Sequence, residues 1–393
     1  MKKKKKKEDN TRVHIGDEIR NELTVQERPV AWLANKLTEC APNYLIKQLN
    51  KRHLQIPLYI LFFVFISCSS SNRNDPLSFF KEPPIVLKPI VIDTDKPVLL
   101  GGEIAMITDS ILAVITPRED TLLTLISIPT GKIIKRIIPR GQGPEEMIVL
   151  FLCAQSNKNE LWINDPNQSK ICRLDMEAVV NESYRIEPTV RLRSSDLLKI
   201  DDYFVGAGSA VKDNRFQIFD SQGNFLTSCL HYKKPDNYYG MPDNIYATVF
   251  QGDYTVHPDN KKFAFATSMS GSIQFFDFTP ESISLNTDLF FYHPSFTEEG
   301  TYATYKRDSK MGFPMIDSDS HYVYALYAGN KTLGEHIFSL GSDHILVYDW
   351  NGNPVKRYEL EIPLFTFCLN AAGDKIYGVA FDPETIIVQY DLK

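Results

Sequence analysis

From about residue 75 onward the chain alternates short β-branched and aromatic runs with Gly, Asn, Asp and Pro, and shows few long helical periods. One element recurs. Five apolar-rich tetrads end in Asp: "ICRLD" at 171–175, "FQIFD" at 216–220, "IQFFD" at 273–277, "ILVYD" at 345–349 and "IVQYD" at 387–391. A sixth, "LTLIS" at 123–127, carries Ser in place of Asp. Asp220 and Asp349 open the turns "DSQGN" and "DWNGN", and Ser127 opens the similar "SIPTGK". Asp and Asn start such turns through side-chain hydrogen bonds to the backbone, and Gly supplies positive φ. Each unit therefore reads as a strand, a tight turn and a returning strand.

Successive units end 48, 45, 57, 72 and 42 residues apart. Periods of roughly 40 to 50 residues, with about four strands each, indicate the blades of a propeller. Six copies predict an all-β, six-bladed β-propeller of four-stranded blades over residues 84–393. The sixth copy ends two residues before the last residue, which leaves its blade without a returning strand. A sheet edge left open in this way invites wrong pairing. The β-branched stretch "PIVLKPIVIDTD" at 84–95 is the expected substitute, an N-terminal strand that closes the ring. A β-sandwich with coincidental apolar-Asp strands is the alternative, and it does not account for that deficit.

Two intervals are stretched by insertions. Residues 231–246, "HYKKPDNYYGMPDNIY", and 293–313, "HPSFTEEGTYATYKRDSKMGF", combine Tyr with Lys or Arg. Long loops on a rigid scaffold are common seats of binding, and Tyr with Arg suits sugars, peptides or anionic groups. Tyr232, Lys234, Tyr238, Tyr239, Tyr305, Lys306 and Arg307 are the candidate ligand-binding residues.

Upstream, "YILFFVFISCSSSN" at 59–72 has a different pattern. Lys51 and Arg52 precede an apolar run at 56–66, and Ser67-Cys68 follow with a polar tail. That order is a secretory signal. A Cys directly after the small residue predicts a lipoprotein cleaved before Cys68 and acylated on it, although Phe65 stands where such boxes more often carry Leu. A retained span needs about 20 apolar residues, and this run is shorter and contains Pro57. Residues 56–68 are thus the signal and lipobox, and 69–83 a flexible tether. Localisation in the cell envelope follows, at the outer membrane through the lipid on Cys68, facing the periplasm or the medium.

Charge divides the chain at the same place. Residues 1–55 hold 13 Lys/Arg against 7 Asp/Glu, and the remainder 30 against 42. The acidity of the larger part argues against nucleic acid as a partner of the propeller. Within the basic part, Ile15, Ile19 and Leu23, then Val30, Leu33 and Leu37, repeat at helical spacing, with a break at 38–40. The stretch 12–52 resembles small regulator-like helix-turn-helix proteins of Bacteroidetes through Trp32, Asn43 and Tyr44. Ala41 and Pro42 depart from that pattern, so residues 1–55 read as a degenerate helix-turn-helix or an extension upstream of the true signal.

The segment "RGQGPEEM" at 140–147 resembles the "RGxGPGE" signature of the six-bladed, TolB-like propeller lipoproteins of Bacteroidetes. Residues 161–175 are also similar to an NHL-type blade. Glu145 stands in place of the usual Gly, and Met147 in place of an aromatic. The motif has a structural reading: Arg140, Gly141, Gly143, Pro144 and Glu146 shape a sharp loop between blades, with Glu146 accepting backbone N–H bonds.

No metal-spaced His/Cys cluster, nucleophile elbow or phosphate loop occurs, so no metal, cofactor or catalytic residue is assigned. His257, followed by "PDN", is expected in a hairpin turn. Cys153, Cys172, Cys229 and Cys368 fit no disulfide framework and are expected as buried free thiols. The expectation is an envelope lipoprotein whose propeller binds a protein, peptide or glycan without catalysis. An envelope lyase or hydrolase with its site at the propeller mouth is one alternative, and a membrane-anchored sensor with a cytoplasmic DNA-binding segment is another.

Overall fold

The computed structural model describes residues 74–94, 103–156, 160–175, 178–179, 186, 188–207, 214–300, 302–335 and 341–392. They belong to one compact unit, Ser70–Lys393. The signal, Cys68 and the helix-turn-helix segment lie outside the described residues.

Blade one is a four-stranded antiparallel meander, Ile104–Thr108, Ile111–Ile115, Thr121–Ser127 and Ile133–Pro139. Blade two pairs Phe151–Leu152, Glu160–Asp165 and Lys170–Asp175, with an antiparallel bridge from Ile171 to Val190. Asp196–Ile200, Tyr203–Ala207, Phe216–Phe219 and Phe225–Cys229 form blade three, and Ala154–Gln155 adds to its inner strand in parallel. Blade four is Gly252–Val256, Lys262–Thr267, Gly271–Thr279 and Ser282–Tyr292. Blades five and six share one long strand, Pro354–Leu369: its first half pairs with Ser342–Asp349, and its second half with Lys375–Phe381. The six recurring tetrads are the third strand of the six blades.

The turns after those tetrads obey the expected chemistry. Asp220 Oδ1 accepts the N–H groups of Gln222 and Asn224 at 2.9 and 2.8 Å, and Oδ2 accepts the Asn224 side-chain amide. Asp349 repeats the arrangement with Asn351 and Asn353. Gly223 and Gly352 both sit at φ +82°, a left-handed conformation that a side chain would strain.

Apolar residues form a separate cluster at each of the six junctions between neighbouring blades. The last cluster packs Ile104, Met106, Leu112 and Val114 of blade one against Tyr377, Val379 and Ile387 of blade six. Closure also uses the strand expected from 84–95. Ile90–Ile92 pairs antiparallel with Thr385–Asp391, placing Val91 opposite Val388. Just before it, Ile85–Leu87 pairs in parallel with the outer strand of blade five.

The expected tether at 69–83 differs from its described part. Residues Pro76–Phe79 form a 3-10 turn capped by the Asp75 carboxylate. Phe80 is 7% exposed and meets the Tyr348 ring edge-on at 5.3 Å, and Arg357 donates to the Leu77 carbonyl. Two aromatics in "LSFFKEPP" outweigh the loop-like composition because a groove between blades four and five accepts one of them. None of the four cysteines is in a disulfide, as expected, but Cys229 is only half-buried.

Phe80→Ala is predicted to lower stability by about 3 kcal/mol or more in chemical denaturation. Phe79→Ala, on the exposed side of the same turn, is predicted to cost well under half as much. Equal effects would contradict docking of this segment.

Candidate functional site

Three acids stand at equivalent places, at the head of the inner strand of their blades, Glu103, Asp196 and Asp253; a fourth, Asp317, lies two residues further along the inner strand Met315–Ser318 of blade five, where Met315 holds the equivalent place. Three of the four pin their strand to the next blade. Glu103 Oε2 accepts Leu152 N–H at 2.9 Å, Asp253 Oδ2 accepts Ile316 N–H at 2.9 Å, and Asp317 Oδ2 accepts Leu369 N–H at 2.8 Å. These three line a small axial cavity of about 100 Å³. Burial pushes the Glu103 carboxyl up to about 7 and the Asp253 carboxyl up to about 8, with the accepted amides pulling the other way. Among the described residues no three His, Cys, Asp or Glu side chains cluster closely enough to hold a metal ion.

Asp196 is the exception. Its carboxylate has no hydrogen bond or ion pair among the described residues, burial raises it to about 6, and it lines a different and larger cavity. That cavity, about 460 Å³, lies off the axis between blades three and four, within the usual size of small-ligand sites. Arg215, Tyr232, Tyr246, Phe250, Tyr254, Phe265 and Phe290 supply much of its wall.

Arg215 precedes the third strand of blade three and is 7% exposed. Its guanidinium lies 4.8 to 5.5 Å from the ring centres of Phe216, Tyr232, Phe265 and Phe276. Nη1 donates to Gln274 Oε1 at 2.6 Å, a further bond reaches the Tyr254 side chain, and Nε has no partner. No carboxylate pairs with it among the described residues. Ring faces and neutral acceptors offset part of the cost of burying this cation, which has no counter-ion among the described residues.

The two insertions fold against each other beside the cavity. Residues 231–246 supply the turn Asp236–Tyr238 and the start of the helix Asp243–Val249, and the second insertion supplies the hairpin Phe296–Glu299 with Tyr302–Tyr305. Tyr238, Met241, Ile245, Tyr246, Val249 and Phe250 form a small core of their own. The Tyr305 hydroxyl donates to the carbonyls of Thr248 and Val249, satisfying the helix end.

The seven candidate residues therefore separate. Tyr232 and Lys234 line the cavity, with Lys234 held by the Asp243 carboxylate and the Met241 carbonyl. Tyr238 and Tyr305 serve the small core of the insertions instead. Tyr239, at 84% exposure, and the exposed Lys306 and Arg307 lie outside the cavity. Sequence reasoning missed Arg215, Asp196, Tyr254 and Gln274, which belong to blade strands or their ends. His293 also lines the site, and burial lowers its pKa.

The "RGQGPEEM" loop joins blades one and two and is structural in its contacts. Glu146 Oε2 accepts Gly143 N–H at 2.8 Å, and a Cβ on Gly141 would stand 1.9 Å from that oxygen. Arg140 donates to the carbonyls of Glu119, Ile148 and Pro117. Lys170, from blade two, donates to the carbonyls of Pro144 and Glu146. His257 sits in a hairpin turn, its ring nitrogen accepting Asp259 N–H at 3.0 Å.

The chain belongs to the family described as TolB-like 6-blade propeller-like, which it matches over residues 103–371. A member of the DUF4221 family from Bacteroides vulgatus shares the fold, with a TM-score of 0.52 at 11% identity over 79% of this chain and 97% of that one. A calcium-binding protein, regucalcin, from Agrobacterium tumefaciens is similar at a TM-score of 0.44 and 12% identity, over 79% and 98%. A gluconolactonase from Xanthomonas campestris gives 0.42 and 11%, over 80% and 99%. Such identities concern the fold alone. No curated protein matches the chain by sequence.

The axial carboxylates set a pH dependence. A raised pKa means that the folded chain binds the proton more tightly than the unfolded one. Their contribution to stability is therefore largest below the unfolded values of 4.5 and 3.8 and declines as pH rises toward about 7 for Glu103 and about 8 for Asp253. Asp253→Asn removes one titration and also leaves one of two amides without its acceptor, so the slope and not the level is informative. Denaturant midpoints between pH 5 and 8 are predicted to fall less steeply for Asp253→Asn than for the wild type. Parallel curves would contradict the assignment.

Proposed function

We propose that this chain is a lipid-anchored protein of the cell envelope whose propeller binds a small ligand with an anionic group, held in the cavity between blades three and four. The observation that carries the reading is Arg215, a buried cation without a carboxylate partner on the wall of a cavity of about 460 Å³. A planar guanidinium favours carboxylate or phosphate oxygens through paired hydrogen bonds. The aromatic wall suits an apolar or ring-shaped body. The cavity's size favours a small molecule or a chain end over the surface of a folded partner. An axial hydrolytic centre finds less support, because Glu103, Asp253 and Asp317 are engaged with backbone amides. The anchor rests on the basic flank, apolar run and Ser67-Cys68 order in the sequence.

A thermal-shift screen of carboxylates, sugar acids, amino acids and sugar phosphates is predicted to yield compounds that raise the wild-type Tm. Their affinity is predicted to drop roughly ten- to hundred-fold in Arg215→Met. Lys233→Met, at the exposed rim of the cavity, is predicted to change it by much less. Stabilising compounds indifferent to Arg215→Met would overturn this site. For the anchor, Cys68→Ala is predicted to abolish acyl labelling and release the protein from the membrane fraction; an unlabelled wild type would overturn that part.

A further inference from the structure

The cavity holds two unpaired charges of opposite sign. Arg215 has no carboxylate partner, and Asp196 has no donor or cation among the described residues. They do not pair with each other, although both charges influence the Tyr232 and Tyr254 hydroxyls. The other charges nearby are satisfied or lie at the rim. Lys234 is bound to Asp243, Asp288 accepts the Gln274 amide at 3.0 Å, and Lys233 and Asp236 are exposed.

Comparison between blades shows counterparts of both charges engaged in structural contacts. Lys170 occupies in blade two the place of Arg215 in blade three, directly before the recurring tetrad, and it caps loop carbonyls. Glu103 and Asp253 occupy the place of Asp196, and each pins the neighbouring blade. In blade three both positions face the same cavity, with Arg215 also bonded to Gln274 of blade four. Burying a guanidinium without a counter-ion is costly, and the half-buried Asp196 carboxylate is partly desolvated without a donor; a ligand that brings both complementary charges recovers that cost.

We infer that the ligand is a zwitterion of the amino-acid class, a free amino acid or short peptide whose carboxylate meets Arg215 and whose ammonium group meets Asp196. The inference rests on the binding reading given above. It differs from the simpler case of a plain acid, which would satisfy Arg215 and leave Asp196 unpaired. The six aromatic rings of the wall favour an apolar or aromatic side chain on the ligand.

The test is calorimetric titration of the protein with the common L-amino acids and their glycyl dipeptides, then with the N-acetyl and C-terminal amide derivatives of the tightest binder. Either modification is expected to weaken binding roughly ten- to hundred-fold. Asp196→Asn is expected to weaken the free compound while leaving the N-acetyl form unchanged. The ligand derivatives probe the same contact without relying on the variant's folding. Acids that bind equally with and without an amine, in a manner indifferent to Asp196→Asn, would overturn the zwitterion and leave the Arg215 site standing. If no amino acid or dipeptide binds while other anions do, the zwitterion is likewise overturned; if no anion binds through Arg215, the underlying site falls with it.

Discussion

A ring of sheets holds together only if its last member packs on its first. Here the closing junction is the apolar cluster between Ile104, Met106, Leu112 and Val114 and the facing Tyr377, Val379 and Ile387. The three-residue strand Ile90–Ile92 reinforces it by covering the edge of Thr385–Asp391. Every other junction inherits its geometry from that closure, because six wedge-like interfaces around one axis leave little freedom to any one of them. The carboxylate-to-amide bonds of Glu103, Asp253 and Asp317 tie neighbouring blades together around the small axial cavity.

Such a frame confines variation to the connections and to single positions within blades. The two long connections flanking blade four build a shared small core, in which Tyr246 stacks on Phe250 and Tyr238 meets Phe250 edge-on. That core borders the cavity without supplying its charges. The charges come from blade three, at positions that elsewhere serve the scaffold. The site combines these two charges with Tyr232 and Tyr246 from the inserted segment.

This arrangement explains what the sequence revealed. The third strand of every blade was visible because a half-buried strand ending in an Asx-type turn leaves a regular pattern, as at Asp220 and Asp349. The closing strand was visible as a deficit. The insertions were visible as stretched spacing, yet composition could not separate Tyr232, which faces the cavity, from Tyr239, which faces solvent. Arg215 and Asp196 were missed because a charged residue next to an apolar tetrad looks the same whether it caps a loop, as Lys170 does, or faces a cavity. Aligning the six units position by position would have raised the question, but only contacts in space answer it. Phe80 escaped for a similar reason, since its partner Tyr348 lies far away in the sequence.

The central claim is that ligand is seated off the axis, on Arg215. Its most direct test is NMR of the arginine Nε–H groups and backbone amides during titration with the tightest-binding compound. The account predicts that the Arg215 Nε–H signal shifts and becomes protected, together with amides around Tyr232 and Gln274, while those of Leu152, Ile316 and Leu369 at the axis stay in place. Shifts concentrated at those axial amides, with Arg215 unchanged, would contradict it.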